Sequence, residues 1–195
     1  MVGGWSLAIF AGMMTLLAYS NSPGPEVTSP ATWPVKSRIS LDRNRPTLVV
    51  FAHPRCPCTR ASLSELDRLL SNCQGQLTAQ VWFIKPPGTS AEWTKTDLWR
   101  QATAIPGVTV HSDDDGVETR RFHAETSGYI VLYDPRGNLL FQGGITDSRG
   151  HEGDNEGRTA LESLVQGKLF KQVRTPVYGC SLLGQCSRPQ TNSTP

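Results

Sequence analysis

Apolar runs and amphipathic segments alternate along the middle of the chain. Residues 47–52 form a short, β-branched apolar run that stops at His53-Pro54, which predicts a buried strand. The next segment has four leucines at helical spacing, Leu63, Leu66, Leu69 and Leu70. We expect an amphipathic helix that begins near Pro57, a residue suited to a first helical position, and is closed by Gly75 in the left-handed conformation.

The remaining elements alternate in the same way. The predicted strands are 79–84, 108–110, 129–133 and 139–141, and the predicted helices are 91–104, 117–124 and 156–166. A turn of Asp, Pro, Arg, Gly and Asn joins the last two strands, which predicts an antiparallel hairpin. Three aspartates at 113–115 supply a solvated start for the helix at 117. This order predicts an α/β fold with a central mixed sheet flanked by helices, right-handed crossovers and an antiparallel end.

An apolar segment at residues 5–19 precedes the predicted domain. It is shorter than the roughly 20 residues of a membrane span but has the length of a signal-peptide core, although no Lys or Arg precedes it. We predict a signal peptide or membrane anchor at 1–20, a linker rich in Ser, Pro and Gly at 21–34, a domain at 35–175 and a Cys-containing tail at 176–195. A packed or disordered N-terminus is the alternative to a leader.

Composition fits one ordinary globular domain. Of the 195 residues, 37% are hydrophobic and 18% are charged, and the formal net charge is +2. The sequence has no basic stripe with interleaved aromatics and no polybasic run, so nucleic acid and anionic lipid surfaces are not expected partners. Five cysteines are many for a cytosolic chain, and the odd number leaves at least one thiol unpaired in a monomer.

The strongest chemical signal is the segment His-Pro-Arg-Cys-Pro-Cys, which runs from His53 to Cys58 between the first strand and the first helix of the domain. A thiol at a helix N-terminus faces unpaired backbone N–H groups and the positive end of the helix dipole, and both favour the thiolate. We therefore predict that Cys56 lies at or beside the N-cap with a lowered pKa. Arg55 and Arg60 add a modest effect, because both are expected to be solvated.

Three segments resemble the redoxin and thioredoxin-like superfamily and, within it, the group called RedB-type thioredoxin-like proteins. They are FAHPRCPCTRASLSEL at 51–66, TSGYIVLYDPRGNLLFQGGIT at 126–146, and SRGHEGDNEGRTAL followed by TPVYGC within 148–180. The resemblance implies a thioredoxin-like fold and thiol–disulfide exchange by Cys56 and Cys58, without a cofactor or metal. It also implies that Pro57 and Ser127 contact the substrate, a thiol or disulfide of another protein.

Two features depart from the thioredoxin pattern. Thioredoxins have two residues between their cysteines, whereas Pro57 alone separates Cys56 from Cys58, and Thr59 occupies the usual second-cysteine position. Residues two apart on a helix project to nearly opposite sides, so a Cys56–Cys58 disulfide requires Cys56 to lie outside the helix and is expected to be strained and easily reduced. Ser127 stands where thioredoxins carry a cis-proline that faces the reactive cysteine.

Two alternative functions stay open for the same residues. His53, Cys56 and Cys58 offer an imidazole and two thiolates, a set that suits Cu(I) delivery. A distant fourth ligand would be one of His111, His123 and His151. The second alternative is a redox-inactive thioredoxin-like protein that keeps its cysteines without turnover. A peroxidase is disfavoured, because the Thr or Ser and the Pro that peroxiredoxins carry before their cysteine are replaced by His53 and Val49.

The other cysteines invite simpler interpretations. Cys73 falls on the apolar face of the first helix of the domain, which predicts a buried core thiol. Cys180 and Cys186 are expected to close a small disulfide, with a resolving role toward Cys56 as the alternative. His53 is expected to cap the end of its strand. The leader and the cysteine content together predict a periplasmic or other extracytoplasmic location, with tethering or export through residues 1–20.

Overall fold

A six-stranded mixed sheet forms the centre of the molecule in the computed structural model, which describes residues 2–168 and 171–184. The strands are β1 Thr47–Ala52, β2 Thr78–Lys85, β3 Val108–Asp114, β4 Tyr129–Tyr133, β5 Leu139–Gly143 and β6 Val173–Arg174. They lie in the order β3-β2-β1-β4-β5-β6. Strands β1, β2 and β3 are parallel, β4 runs antiparallel to β1 and β5, and β6 is parallel to β5. The predicted fold class, a mixed sheet with an antiparallel end, is confirmed.

Helices pack beside this sheet. In the described residues the α-helices are α1 Val2–Ser20, α2 Thr59–Asn72, α3 Asp97–Ala104, α4 Val117–Arg121 and α5 Glu156–Val165. Helices α3 and α4 pack against β3, and α5 packs against β5. Helix α2 ends as predicted, with Gly75 at a φ of 70°. Its first residue is Thr59 rather than Pro57, because the chain first makes a turn at Cys56. Helix α5 is capped by Asn155, whose side chain accepts a hydrogen bond from the backbone N–H of Arg158 at 2.7 Å.

The buried side chains form two clusters. One contains Leu48 and Val50 of β1 and the leucines of α2 and α5. The other contains Val49 and Phe51 of β1 with the aromatic rings of Phe122, Tyr129 and Tyr133. All six residues of β1 are buried, which explains why its sequence is a continuous apolar run. The turn that follows β1 is therefore attached to a strand that is buried along its whole length.

The segment predicted as one helix over 91–104 is divided in the structure. A single 3-10 turn covers Ala91–Trp93, and α3 begins only at Asp97. The break occurs where the Thr96 hydroxyl donates a hydrogen bond to the Pro54 carbonyl at 2.8 Å. This contact links the start of α3 to the turn after β1, so the break has a tertiary cause that helical periodicity does not reveal.

The solvated helix start predicted at 113–115 is wrong for Asp113, which is buried. Its carboxylate accepts hydrogen bonds from the backbone N–H groups of Glu118 at 2.9 Å and Thr119 at 2.7 Å. These are two of the unpaired donors at the start of α4. The aspartate does start the helix, but from inside the fold.

Residues before β1 also lie against the sheet. The predicted linker, 21–34, includes Ser29, whose backbone N–H donates to Gln142 Oε1 at 2.8 Å. It also includes Trp33, whose ring meets the rings of Phe122 and Tyr133 edge-on, with centroids 5.2 and 5.1 Å away. Helix α1 exposes large apolar side chains, among them Trp5, Leu7, Phe10 and Leu16. None of the helices in residues 2–168 and 171–184 combines the length and apolar character that a membrane crossing requires.

Candidate active site

Cys56 lies in a tight turn between β1 and α2. Its backbone N–H donates to the His53 carbonyl at 3.2 Å, and its own carbonyl accepts from the Thr59 N–H at 3.1 Å. The residue that directly precedes α2 is Cys58, with helical backbone angles of −65° and −26°. Cys56 is thus outside the helix but next to its first free N–H groups, as the sequence predicted for a Cys at or beside the N-cap.

A segment from the C-terminal part of the chain covers Cys56. The Ser127 N–H donates to the Cys180 carbonyl at 2.8 Å, and the Leu182 N–H donates to the Glu125 carbonyl at 2.8 Å. Residues Thr126 and Ser181 form an antiparallel bridge between these two bonds. The Cys180 N–H then donates to Cys56 Sγ, with N and S 3.3 Å apart. Cys56 is left with 0% of its surface exposed.

Two features hold this C-terminal segment in one position. A Cβ atom at Gly179 would lie 2.1 Å from the Ser127 carbonyl oxygen, so only glycine permits the approach of the two backbones. Leu182 is 3% exposed and belongs to the same apolar cluster as Val177. With a close backbone contact on one side and a buried leucine on the other, Cys180 is fixed beside Cys56.

The donors around Cys56 stabilise its thiolate. The hydrogen bond from the Cys180 thiol is the main cause that lowers the Cys56 pKa to about 5, against burial, which raises it. The Cys180 N–H, the Thr59 hydroxyl and the Cys58 N–H add to the lowering. The same hydrogen bond raises the pKa of Cys180, because its proton is held between the two sulfurs. Cys56 is therefore buried, but among donors rather than apolar groups.

A chain of hydroxyl groups supports the Thr59 donor. The His53 N–H donates to Ser127 Oγ at 2.7 Å, and Ser127 Oγ lies 2.7 Å from Thr59 Oγ1. If each hydroxyl donates onward, the sequence of bonds runs from His53 through Ser127 and Thr59 to the Cys56 sulfur, with every donor used. Ser127 therefore faces the cysteine turn, in the position where the resemblance to thioredoxins put it.

Cys58 differs from Cys56 in exposure and charge preference. It is partly exposed, and its pKa is raised by burial first and by the negative charge of Cys56 second. A hydrogen bond and the positive charge of Arg149 act in the opposite direction. Pro57, between the two cysteines, is exposed. The arrangement gives one buried thiolate and one partly accessible thiol next to each other.

Arg149 is a site residue that the sequence did not reveal. Its guanidinium donates to the Gly179 carbonyl at 2.5 Å and to the Tyr19 carbonyl at 3.2 Å, and it lies over the Tyr19 ring at 4.7 Å. It therefore connects the end of α1, the segment that carries Cys180 and the Cys58 thiol. The one sequence signal for Arg149 is that it lies in the glycine-rich segment that begins at residue 148, which does not identify it as a neighbour of the cysteines.

The loop that carries Arg149 is held by a buried carboxylate. Glu65 of α2 is 0% exposed and accepts hydrogen bonds from the Gly153 N–H and from Arg158 Nε, both at 2.8 Å. Asn155 Nδ2 also donates to Glu65, at 3.2 Å. Glu65 thus ties the loop at 148–155 to the helix that starts at the cysteine turn, which gives this glycine-rich stretch a structural role.

His53 acts as a cap rather than as a free imidazole. Its Nδ1 accepts the backbone N–H of Arg55 at 3.1 Å, its ring meets Trp93 edge-on, and burial lowers its pKa. The three other histidines lie in separate surroundings, with His111 stacked on Trp82, His123 bonded to the Thr28 carbonyl and His151 in the loop after Arg149. In the described part of the chain no three His, Cys, Asp or Glu side chains are grouped to hold a metal ion.

The remaining cysteines divide into a confirmed and an open prediction. Cys73 is 1% exposed within the apolar cluster of α2 and α5, so the predicted core thiol is confirmed. Cys180 is a free thiol next to Cys56, and its predicted partner Cys186 lies outside the described residues. A Cys180–Cys186 disulfide and the alternative, a resolving role of Cys180 toward Cys56, both stay predictions; the structure places the Cys180 N–H 3.3 Å from Cys56 Sγ.

The sheet order, the parallel pair β1 and β2 beside the antiparallel pair β4 and β5, and a cysteine turn between β1 and α2 define a thioredoxin-like fold. Two solved structures share the overall fold of this chain. An uncharacterised conserved protein from Geobacillus kaustophilus superimposes with a TM-score of 0.59 at 17% identity, over 86% of this chain and 95% of that one. A hypothetical protein from Sinorhizobium meliloti gives 0.59 at 18% identity, over 86% and 98%.

An exposed lipoprotein thioredoxin from Streptococcus pneumoniae is also similar, with a TM-score of 0.46 at 16% identity over 64% of this chain and 86% of that one. At such identities the similarity concerns the fold alone. No protein-family model and no curated protein matches the chain. The narrower resemblance to RedB-type proteins therefore stays a prediction from the sequence.

Proposed function

We propose that the protein is a thiol–disulfide oxidoreductase that acts on thiols or disulfides of other proteins, with Cys56 as its nucleophile and Cys58 as a second thiol. The observation that carries the proposal is the convergence of hydrogen-bond donors on the Cys56 sulfur, which lowers its pKa to about 5. A thiolate at neutral pH is what attack on a disulfide requires. The thioredoxin-like fold is one on which this chemistry occurs.

The proposed reaction has two exchange steps. In the first, the Cys56 thiolate attacks a substrate disulfide, a mixed disulfide forms, and one substrate sulfur leaves as a thiolate. In the second, resolution within the protein releases the other substrate sulfur and ends in a Cys56–Cys58 disulfide, which forms when the Cys58 thiol loses its proton and attacks Cys56 Sγ. The substrate gains two electrons and the protein loses two. The negative charge that raises the Cys58 pKa disappears in the first step, which favours deprotonation of Cys58 for the second.

Pro57 and Ser127 are the proposed substrate contacts. Pro57 is exposed beside Cys56, so a substrate that reaches the sulfur would meet its ring. Ser127 offers a backbone N–H, which here donates to Cys180 and could pair with a substrate peptide in the same way. Export or anchoring through residues 1–20, and hence an extracytoplasmic location, completes the proposal. It is supported by the apolar leader, whose large side chains are exposed in α1.

Titration of the reduced full-length protein tests the nucleophile. The rate of alkylation by iodoacetamide should follow a midpoint near the Cys56 pKa of about 5. The low-pH component should vanish in Cys56→Ser and persist in Cys73→Ser, a matched removal of a buried thiol from the other end of α2. Reduction of a disulfide-linked peptide should be lost in Cys56→Ser and kept in Cys73→Ser. A midpoint close to the ordinary value of about 8.5 would leave the redox-inactive alternative as the better interpretation.

A further inference from the structure

The position of Cys180 bears on which thiol completes the exchange. Cys58 follows Cys56 by two residues, and the turn between them is tied by the hydrogen bond from the Thr59 N–H to the Cys56 carbonyl. Cys56 lies outside α2 and Cys58 directly precedes its first residue, so a bond between these two sulfurs would have to close within this hydrogen-bonded turn. Cys180 comes from a separate segment, and no such local constraint applies to it.

Three observations direct Cys180 at the Cys56 sulfur. Its backbone N–H donates to Cys56 Sγ at 3.3 Å, and its thiol donates to the same atom. The Cys180 carbonyl accepts from the Ser127 N–H, and the Leu182 N–H donates to the Glu125 carbonyl, at 2.8 Å in each bond. The close approach of Gly179 to the Ser127 carbonyl excludes a side chain at that position. The position of Cys180 beside the nucleophile is therefore fixed by the pairing of its backbone.

We propose that Cys180 is the first resolving thiol of Cys56, so that the first oxidised product carries a Cys56–Cys180 disulfide. A later attack of the Cys58 thiolate on Cys56 Sγ releases the Cys180 thiolate and gives the Cys56–Cys58 disulfide proposed above. This inference rests on the proposed function, since it needs Cys56 to form the mixed disulfide. In that mixed disulfide the Cys180 thiol gives its proton to solvent and attacks Cys56 Sγ. The Cys56–substrate bond breaks and the substrate sulfur leaves with the electron pair. Over both steps one substrate disulfide becomes two thiols, and two protein thiols become one disulfide.

The location of the segment adds a second consequence for the same residues. Cys56 is fully buried under Gly179–Leu182, whereas a substrate disulfide must reach its sulfur. Cys180 therefore has to move aside for the first step and return for the second. Displacing the segment should speed the first step and slow the second, a split that a merely structural role of Cys180 does not predict.

Reaction of the reduced full-length protein with one equivalent of dithiodipyridine, a small aromatic disulfide, separates the two steps. The first thione released reports attack by a protein thiol, and the second reports resolution within the protein. We expect Cys180→Ser to slow the second release by at least about tenfold, a larger loss than Cys58→Ser causes, with Cys186→Ser within about twofold of the wild type. Gly179→Ala keeps every thiol and should speed the first release while slowing the second.

Peptide mapping identifies the bond. Trypsin cuts after Arg55, Arg60 and Arg174, so Cys56 and Cys58 share one peptide and Cys180 lies in another. In a Cys58→Ser, Cys186→Ser double variant the two peptides should be joined after oxidation. If the two peptides are not joined, or if release of the second thione depends on Cys58 and not on Cys180, the inference is overturned and the proposed function stays intact. If Cys56→Ser leaves the first release unchanged, the proposed function itself fails.

Discussion

The two ends of α2 each hold a buried cysteine, and the two thiols have opposite properties. Cys56 precedes the helix and is 0% exposed, whereas Cys73 caps its C-terminal end and is 1% exposed. The hydrogen bond from the Cys180 thiol and the other donors lower the Cys56 pKa to about 5. Burial, and secondly the charge of Glu162, raise the Cys73 pKa. Equal burial therefore goes with opposite charge states at neutral pH.

The difference shows that surroundings, not depth, decide whether a buried thiol is reactive. At the start of α2 the sulfur meets two backbone N–H groups, the Thr59 hydroxyl and a second thiol. At the end of α2 the neighbours are leucine side chains and the helix carries its negative dipole end. A free cysteine among apolar groups behaves as a small hydrophobe. The difference between the Cys56 and Cys73 pKa values can be tested by removing the charge at Cys56, by removing its hydrogen-bond donors one at a time, or by changing the pH.

The largest expected effect is on the pH dependence of stability. Because the Cys56 pKa is about 5 in the fold and about 8.5 in an unfolded chain, the thiolate contributes on the order of a few kcal/mol to the free energy of unfolding above pH about 8.5. This contribution is lost as the pH falls from about 8.5 to about 5. Urea unfolding of the reduced protein across this range should show it, and Cys56→Ser should not.

Cys73→Ser is the control for that experiment, because the Cys73 pKa is raised rather than lowered. Its contribution is present below the ordinary thiol pKa and is lost only as the pH rises through the folded value. The slope of stability between pH about 5 and about 8.5 should therefore survive in Cys73→Ser. If the free energy of unfolding depends equally on pH in Cys56→Ser and in the wild type, Cys56 is not ionised in the folded protein.

The next effect concerns the thiol donor. Cys180→Ala should raise the Cys56 pKa by about one to two units, because a hydrogen bond to a charged group contributes about 1.5–3 kcal/mol. Cys180→Ser keeps a donor of similar size and should raise it less. The ultraviolet absorbance of the thiolate, recorded against pH in the reduced protein, measures both. An unchanged titration in Cys180→Ala would mean that the thiol does not stabilise Cys56.

The smallest effect is expected from the hydroxyl donor. Thr59→Val removes the last bond in the chain from His53 through Ser127 to Cys56 and keeps the side-chain shape. We expect the Cys56 pKa to rise by about one unit, the low end for one hydrogen bond to a charged group, because Thr59 contributes less to the lowering than Cys180 does. Thr103→Val is a matched control, since its hydroxyl bonds only within α3 at the Trp99 carbonyl. If the Cys56 pKa rises as much in Thr103→Val as in Thr59→Val, the Thr59 hydroxyl is not a specific donor to Cys56.

Local patterns predicted most of the fold. The buried run of β1, the leucine spacing of α2 and the hairpin of β4 and β5 are properties of neighbouring residues, so the sequence displays them directly. The start of α2 moved to Thr59 because Cys56 and Pro57 form a turn that has the same composition as a helix start. The break before α3 depends on a bond from Thr96 to Pro54, which no local pattern records.

The site was predictable only where it is local. Cys56, Cys58 and the helix start are adjacent in sequence, and their chemistry follows from that adjacency. Cys180 and Arg149 join the site from distant parts of the chain, Cys180 through its pairing with Ser127 and Arg149 through its bond to the Gly179 carbonyl. The sequence favoured Cys186 as the partner of Cys180 because these two cysteines are close in sequence, whereas Cys56 is close to Cys180 only in the folded structure.

The order in which the ribosome makes these parts has a consequence for the thiol. Strand β1, the cysteine turn and α2 are synthesised long before residue 180, and N-terminal parts of a chain generally fold first. Until Cys180 emerges, Cys56 lacks the donor that lowers its pKa most. The nascent protein would thus carry a thiol of nearly ordinary reactivity, and the reactive form would arise only when the closing segment docks, after the surrounding core is in place.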